Sequence, residues 1–243
     1  YYRVTTYDNA APWPNESWYS DSTVTCTTTA PAPGANIWYV NDSSLVGDSW
    51  CGAVGADTQT GLDSTQPKRT ISAVMPYLTA GDSVYIDAGI YVESVVISCS
   101  DVALVGKDSA ATIINPPSGT GIAADSMAGL LIRNLGIRGA AVGIDFQNVV
   151  TSVIDGCSVS YNSGAGISLT QSDTNTIRAC YMRNNTAGGV VINTGSESNV
   201  VENSTCRSNT DNGILIQEQY NIVVGCVLES NSNNGIVLNA FRN

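Results

Sequence analysis

The sequence predicts an all-β solenoid, because its second half repeats itself about every 23 residues and its apolar residues alternate within each repeat. Glycine followed by an aliphatic residue recurs at Gly143, Gly166, Gly189, Gly213 and Gly235, and asparagine recurs at Asn162, Asn185, Asn209 and Asn231 and again at Asn175, Asn199, Asn221 and Asn243. A unit this short has too few apolar residues for a core of its own. The units are therefore expected to be stable only when they stack.

Apolar residues two positions apart, such as Ile167 with Leu169 and Ile214 with Ile216, are typical of strands with one inward face. The asparagine, glycine, serine and threonine residues between these pairs form turns. Strands that return to the same register stack in parallel, and parallel crossovers are almost always right-handed. The predicted fold is a right-handed parallel β-helix with coils of about 22–24 residues.

Two segments with the pattern N-G-I-x-[LIV], residues 212–216 and 234–238, resemble the repeats of the pectate-lyase-like β-helix superfamily. The stretch from Trp38 to Tyr91 resembles the opening of the β-helix in many secreted bacterial members. The resemblance implies the fold for residues 37–243. It leaves the activity open, since the superfamily holds lyases, hydrolases, epimerases, adhesins and phage spikes.

Three regions are predicted along the chain. Residues 1–33 contain two alternating stretches, 1–7 and 22–28, which resemble the last two strands of a fibronectin type III-like domain. Residues 34–36 form a linker. Residues 37–243 form the β-helix, with regular coils over 130–243, and we expect the solenoid to continue beyond Asn243.

A short helix is predicted over residues 68–78. Ile71, Val74, Met75 and Leu78 fall on one helical face, and Pro67 precedes the first turn. The resemblance implies that this helix caps the apolar end of the coil stack.

The chain of 243 residues has a net charge of -11, with no histidine. This argues against nucleic acid or an anionic membrane as a partner, and no apolar run is long enough to span a membrane. The predicted partners are a polysaccharide or other surface proteins, with self-association through further coils as an additional expectation. The predicted location is extracellular or at the cell surface.

Five of the seven cysteines fall into two groups, while Cys206 lies two positions beyond the column of the first group and Cys99 has no evident partner. Cys157, Cys180 and Cys226 share one inward column, where small apolar fillers are expected, although adjacent coils are close enough for a Cys157–Cys180 bridge. Cys26 and Cys51 in the irregular N-terminal part are a candidate disulfide, which fits an oxidising compartment.

Stacked coils turn equivalent positions into columns on the surface. The asparagine columns (Asn162, Asn185, Asn209, Asn231 and Asn175, Asn199, Asn221) are predicted to be structural ladders of turn residues. Arg133, Asp155, Arg178 and Glu202 alternate in charge, which predicts a salt-bridge ladder.

A second basic column is the candidate glycan-binding site. Arg138, Arg183 and Arg207 lie in the column Arg138, Ser160, Arg183, Arg207, Glu229, and such a strip can hold a uronate or a sulfate. Sideways pairing of the arginines with acids is the alternative. Asn193 and Gln217 belong to an amide column that either lines a glycan groove or only solvates a face.

A calcium loop is the one metal hypothesis. Asp57, Gln59 and Asp63 place oxygen atoms at alternate positions around Gly61, as calcium loops do. No other cofactor is predicted.

The sequence leans against catalysis without excluding it. The resemblance implies that lyases need a Lys or Arg base with calcium, hydrolases need clustered aspartates, and epimerases need His and Tyr. No such constellation is found on the coils, so no catalytic residue is predicted. The favoured function is a structural, adhesive or glycan-binding segment of a larger protein. A polysaccharide lyase or glycoside hydrolase is the alternative, and a filament or layer building block is a further one, if the apolar column of Val191, Leu215 and Val237 lies in a subunit contact.

Overall fold

The computed structural model describes residues 35–239, which form 22 short strands. The strands are β1 (Ile37–Val40), β2 (Ser83–Ile86), β3 (Gly89–Tyr91), β4 (Val95–Ile97), β5 (Ala103–Gly106), β6 (Thr112–Ile114), β7 (Ile122–Asp125), β8 (Leu131–Arg133), β9 (Gly136–Arg138), β10 (Ile144–Gln147), β11 (Val153–Asp155), β12 (Ser158–Ser160), β13 (Ile167–Thr170), β14 (Thr176–Arg178), β15 (Tyr181–Arg183), β16 (Val190–Ile192), β17 (Val200–Glu202), β18 (Thr205–Arg207), β19 (Ile214–Ile216), β20 (Ile222–Val224), β21 (Val227–Glu229) and β22 (Ile236–Leu238).

The strands form three parallel sheets, which the chain visits in turn. Sheet A has the order β1-β2-β5-β8-β11-β14-β17-β20, sheet B the order β3-β6-β9-β12-β15-β18-β21, and sheet C the order β4-β7-β10-β13-β16-β19-β22. Each inner strand pairs with its counterparts one coil before and one coil after, and the strands at the two ends of each sheet pair on one side. This confirms the predicted parallel β-helix.

Inward side chains stack on side chains of the same kind. Ile154 lies between Ile132 and Ile177 in sheet A, and Ile167 lies between Ile144 and Val190 in sheet C. All are buried in one continuous core. Burying each such side chain contributes about 1.5–3 kcal/mol, which explains why the coils are stable only as a stack.

A single residue with left-handed backbone turns the chain from sheet A into sheet B in each regular coil. Asn134, Ala179 and Asn203 have φ of 55°, 51° and 48°, and Gly156 and Gly225 hold the equivalent positions with φ of 63° and 64°. Asparagine and glycine adopt this conformation with little strain. The small and amide residues of the repeat therefore set the bend between the two sheets.

Two buried ladders of asparagine connect the coils. Asn162 donates from Nδ2 to Oδ1 of Asn185 at 2.9 Å, Asn185 to Asn209 at 3.1 Å, and Asn209 to Asn231 at 2.9 Å. The second ladder runs through Asn175, Asn199 and Asn221 at 3.2 and 3.1 Å. Each acceptor oxygen also takes a backbone N–H of the preceding coil, so these buried amides are paired.

The predicted helix over residues 68–78 is wrong. Within this segment the structure has one turn of 3₁₀-helix, Met75–Tyr77, and Leu78 is already extended. Pro76 has no N–H for an α-helical hydrogen bond, and Val74 and Tyr77 instead donate to carbonyls three residues earlier. The four apolar side chains on which the prediction was based are nevertheless buried in the core: Ile71, Val74, Met75 and Leu78.

The fibronectin-like strand pair and Cys26 lie outside the described residues. The strand pair and the Cys26–Cys51 disulfide therefore remain predictions. Cys51 is buried, and its Sγ lies 3.8 Å from the carbonyl oxygen of Val40. Cys157 and Cys180 are buried free thiols that donate to backbone carbonyls. A hydrogen bond involving Cys180, together with burial, raises the pKa of Cys157 well above its ordinary value. From residue 35 to residue 239, no helix has the length and apolarity to cross a membrane.

Candidate functional site

The outer face of sheet B carries two neighbouring columns of side chains. The first column contains Ile113, Gly136, Ser158, Tyr181 and Thr205, and the second contains Arg138, Ser160, Arg183, Arg207 and Glu229. The register of the strands thus places the predicted arginines in one line.

A cleft of about 250 Å³ opens where the side chains of the first column are smallest. Gly136 and Ser158 are small, and Ile113 and Tyr181 flank them in the column. The cleft, here called the arginine cleft, is lined by Ser109, Ala110, Ile113, Gly136, Ile137, Arg138, Ser158, Ser160 and Arg183.

Gly136 is the residue that permits this shape. A Cβ atom at this position would lie 2.5 Å from the carbonyl oxygen of Ser109 and 3.3 Å from the Ile113 side chain. Only glycine lets the loop at Ser109 approach the sheet so closely. The cleft therefore depends on a missing side chain.

Two cations border the arginine cleft. Arg138 and Arg183 are exposed, and the short Ser160 between them is only 7% exposed. Because neighbouring strands are about 4.8 Å apart, the two arginine Cα atoms are about 10 Å apart. No carboxylate lines the cleft, and neither arginine forms a salt bridge within residues 35–239.

Tyrosines hold the guanidinium of Arg183. It lies 5.4 Å from the ring centre of Tyr161 and 5.7 Å from that of Tyr181, which is within the range of cation–π attraction. Sequence reasoning missed both tyrosines. Their positions, directly after Ser160 and two residues before Arg183, are the signal that would have placed them beside the basic column.

The other predicted glycan-binding residues lie elsewhere. Arg207 does not line the cleft, and its Nε lies 3.4 Å from Oε1 of Glu229. Asn193 and Gln217 follow strands β16 and β19 of sheet C, and Asn193 donates to Oγ1 of Thr170 at 3.0 Å. The structure therefore brings Arg138 and Arg183 together and separates the two amides from them.

The alternating column on sheet A forms a salt-bridge ladder. Oδ2 of Asp155 lies 3.0 Å from Nη2 of Arg133 and 3.1 Å from Nη2 of Arg178. One carboxylate thus forms a salt bridge with both arginines and partly neutralises their charge.

The oxygen atoms of the hypothesised calcium loop stabilise local turns. Asp57 accepts the N–H groups of Arg69 and Thr70 at 2.9 Å each. Gln59 accepts the N–H of Ala56, and Asp63 accepts from Thr65. In the described part of the chain, no group of three or more Cys, Asp or Glu side chains is placed to hold a metal ion. Calcium binding remains a prediction that chelation can test.

The residues of the arginine cleft are suited to binding an anion. Arginine stays protonated in proteins and donates in a planar fork that matches a carboxylate or a sulfate. The Ser158 and Ser160 hydroxyls add neutral donors. No carboxylate, histidine or lysine among the lining residues offers a proton acceptor.

The chain belongs to the family described as "Right handed beta helix region", whose sequence profile matches residues 120–243. This confirms the β-helix resemblance. No curated protein sequence matches the chain significantly.

Three solved structures are similar to the described fold. ORF18 of Geobacillus virus E2 aligns with 78% of this chain at 15% identity and a TM-score of 0.60, and the chain spans 42% of that protein's length. An alginate lyase from Paenibacillus sp. str. FPU-7 aligns with 64% of this chain and 72% of its own, at 15% identity and a TM-score of 0.53. The pectate lyase Pel9A aligns with 84% of this chain and 51% of its own, at 16% identity and a TM-score of 0.49. The similarity to ORF18 and to the alginate lyase shows that the fold is shared and shows nothing about activity.

Proposed function

We propose that this chain is an extracellular glycan-binding segment of a β-helix protein, and that its arginine cleft holds a carboxylate or sulfate group of an acidic polysaccharide. The observation that carries this proposal is the pair of exposed arginines on either side of Ser160, which form no salt bridge within residues 35–239, in a chain whose net charge is -11. An acidic surface repels polyanions at long range. A local pair of cations in a cleft without carboxylates is therefore a specific site for an anionic group.

The geometry supports binding rather than turnover. A β-elimination or hydrolysis needs a group that accepts a proton at the reacting centre. The resemblance implies that an arginine acts as a lyase base only together with calcium, and no carboxylate among the lining residues could hold that ion. The lining residues otherwise offer serine hydroxyls and apolar groups. A lyase or hydrolase is therefore the second candidate. The same experiment measures a lyase by release of unsaturated uronate, and a reducing-sugar assay beside it measures a hydrolase.

The test is a titration of the chain with alginate, a sulfated polysaccharide and a neutral glucan, with absorbance of unsaturated uronate followed in parallel. We expect binding to the acidic polysaccharides without an increase in absorbance. Arg138→Ala and Arg183→Ala should each weaken binding about tenfold, because each removes a charge-assisted hydrogen bond that contributes about 1.5 kcal/mol.

Arg207→Ala is the matched control. It removes the same charge from the same column, but its guanidinium is paired with Glu229 outside the cleft, so we expect a change of less than about twofold. Equal losses in all three variants would indicate general electrostatic attraction and refute the cleft. Release of unsaturated uronate would identify a lyase, and absence of binding would refute the proposed function.

A further inference from the structure

The loop after β1 contains two buried oxygen atoms that have no hydrogen-bond donor, Oδ1 of Asn41 and Oδ1 of Asp48. No other buried side-chain nitrogen or oxygen between residues 35 and 239 is unpaired in this way. A buried acceptor without a donor destabilises the folded state by about 1–3 kcal/mol, and more when it is charged. Two such atoms on neighbouring side chains therefore require an explanation.

The two side chains already share one hydrogen bond. Asn41 is fully buried, and its Nδ2 donates to Oδ2 of Asp48 at 2.7 Å and to the carbonyl oxygen of Ala53 at 2.9 Å. Both amide hydrogens are thus used. Exchanging the amide oxygen and nitrogen would set an oxygen against two acceptors, so the orientation of the amide is determined.

The surroundings of Asp48 disfavour a negative charge. Burial raises its pKa above the ordinary value, its hydrogen bond with Asn41 lowers it in part, and the carboxylates of Asp87 and Asp42 raise it further, against a lowering by Lys107. Asp87, which is fully buried, follows β2 and Asp42 follows β1, while Lys107 follows β5. The net direction favours the neutral acid.

Asp87 and Lys107 also hold the rest of the loop. Asp87 accepts the N–H groups of Ser49, Trp50 and Cys51 at 2.7–2.8 Å, and Lys107 donates to the carbonyl oxygen of Gly47. The hydroxyl of Tyr91, on β3, donates to the carbonyl oxygen of Asp87. Asp48 is thus next to a segment that one buried carboxylate holds by three amides.

We propose that Asp48 carries a proton on Oδ1 in the folded protein and donates it to Oδ1 of Asn41, so that a neutral acid–amide pair closes this loop and opens as pH rises. A carboxylic acid and a primary amide form two hydrogen bonds in opposite directions, and one is already present at 2.7 Å. The second gives both orphaned oxygen atoms a partner. The O–H bond on Oδ1 forms with a proton released by hydronium, which leaves water, and no other covalent bond changes.

The expected pH dependence follows from the raised pKa. A group that binds its proton more tightly in the folded state stabilises that state at low pH, below the ordinary aspartate pKa of about 3.9, and this stabilisation is lost as pH rises through the folded pKa. Above that pH, Asp48 is ionised and repelled by Asp87 and Asp42. The segment 48–51 then opens more often, which exposes the amide groups of Ser49, Trp50 and Cys51 to solvent.

Asp48→Asn tests the proposal, because an asparagine amide donates to Asn41 Oδ1 at every pH as the protonated acid does. We expect equal melting temperatures for the two proteins at acid pH. As pH rises, the variant should melt at a higher temperature than the original chain, by a difference that grows with pH. At about pH 8, hydrogen exchange of the Ser49, Trp50 and Cys51 amides, read peptide by peptide in a mass spectrometer, should be about fivefold slower in the variant, which is the population change that one hydrogen bond of about 1 kcal/mol produces. Asp145→Asn, which removes a charge from the face of sheet C, should show neither effect.

Three results would overturn the proposal. If Asp48→Asn is less stable than the original chain at all pH values, the carboxylate itself is needed. If calcium raises the melting temperature and a chelator lowers it in the original chain but not in the variant, the orphaned oxygens hold a cation. If the melting temperatures of the two proteins shift in parallel with pH, ordered water and not a proton satisfies the pair.

Discussion

Two columns of arginine occupy the same coils of the β-helix and differ in the residue between them. On sheet A, Asp155 lies between Arg133 and Arg178 and forms an ion pair with each. On sheet B, the same coil places Ser160 between Arg138 and Arg183. One carboxylate therefore makes the first column a structural ladder, and a hydroxyl in its place leaves the second column with two cations at a cleft.

The largest effect is expected when the second column is given the residue of the first. Ser160→Asp should weaken binding of an acidic polysaccharide about 100-fold, because the new carboxylate competes for both arginines and each lost charge-assisted bond contributes about 1.5 kcal/mol. The melting temperature should not fall, since Asp155 shows that this spacing accepts an aspartate. A calorimetric titration measures the first quantity and a thermal melt the second.

Ser160→Asn is the control for size. It has the volume of the aspartate without its charge, so most of the binding should remain. A loss as large as that of Ser160→Asp would mean that space, and not charge, makes the cleft.

The reverse exchange is expected to act on stability. Asp155→Ser removes the carboxylate shared by Arg133 and Arg178, whose side chains are 39% and 42% exposed. Discounted for this exposure, the free energy of unfolding should fall by about 1 kcal/mol and the melting temperature by about 2–4 °C. The difference should shrink in high salt, because exposed ion pairs are screened.

Asp155→Ser also sharpens the comparison for binding. Sheet A has Leu131, Val153 and Thr176 where sheet B has the small Gly136 and Ser158 beside the arginines. We therefore expect the titration still to saturate at one site per chain. A second site in this variant would show that two arginines and a serine suffice without a cleft.

The smallest effect is expected at the tyrosine that orients Arg183. Tyr161→Ala should weaken polysaccharide binding about two- to fivefold, since a cation–π contact at an exposed site contributes about 0.5–1 kcal/mol. Tyr161→Phe keeps the ring and should bind like the original chain. Equal losses in both variants would assign the effect to the hydroxyl instead.

Local pattern was sufficient to predict the coils and the charge columns. Alternation of apolar residues such as Ile167 and Leu169 determines which face is inward, and a period of about 23 residues determines which side chains stack. The sheet A ladder and the line of Arg138, Ser160 and Arg183 follow from these two facts. The helix prediction failed because an amphipathic pattern outweighed Pro76, which cannot donate the hydrogen bond an α-helix requires there.

The sequence by itself determined the solenoid, its strand register and the position of each arginine in its column, because a repeat that must stack leaves few other ways to bury its apolar residues. Only the tertiary structure decided which arginines border a cleft, since that depends on the approach of the loop at Ser109 to Gly136 across coils. The same holds for Asn41 and Asp48, whose shared burial comes from a loop folding back on β1. Contacts made by irregular loops do not recur with the repeat. A prediction that relies on the repeat period therefore cannot place them.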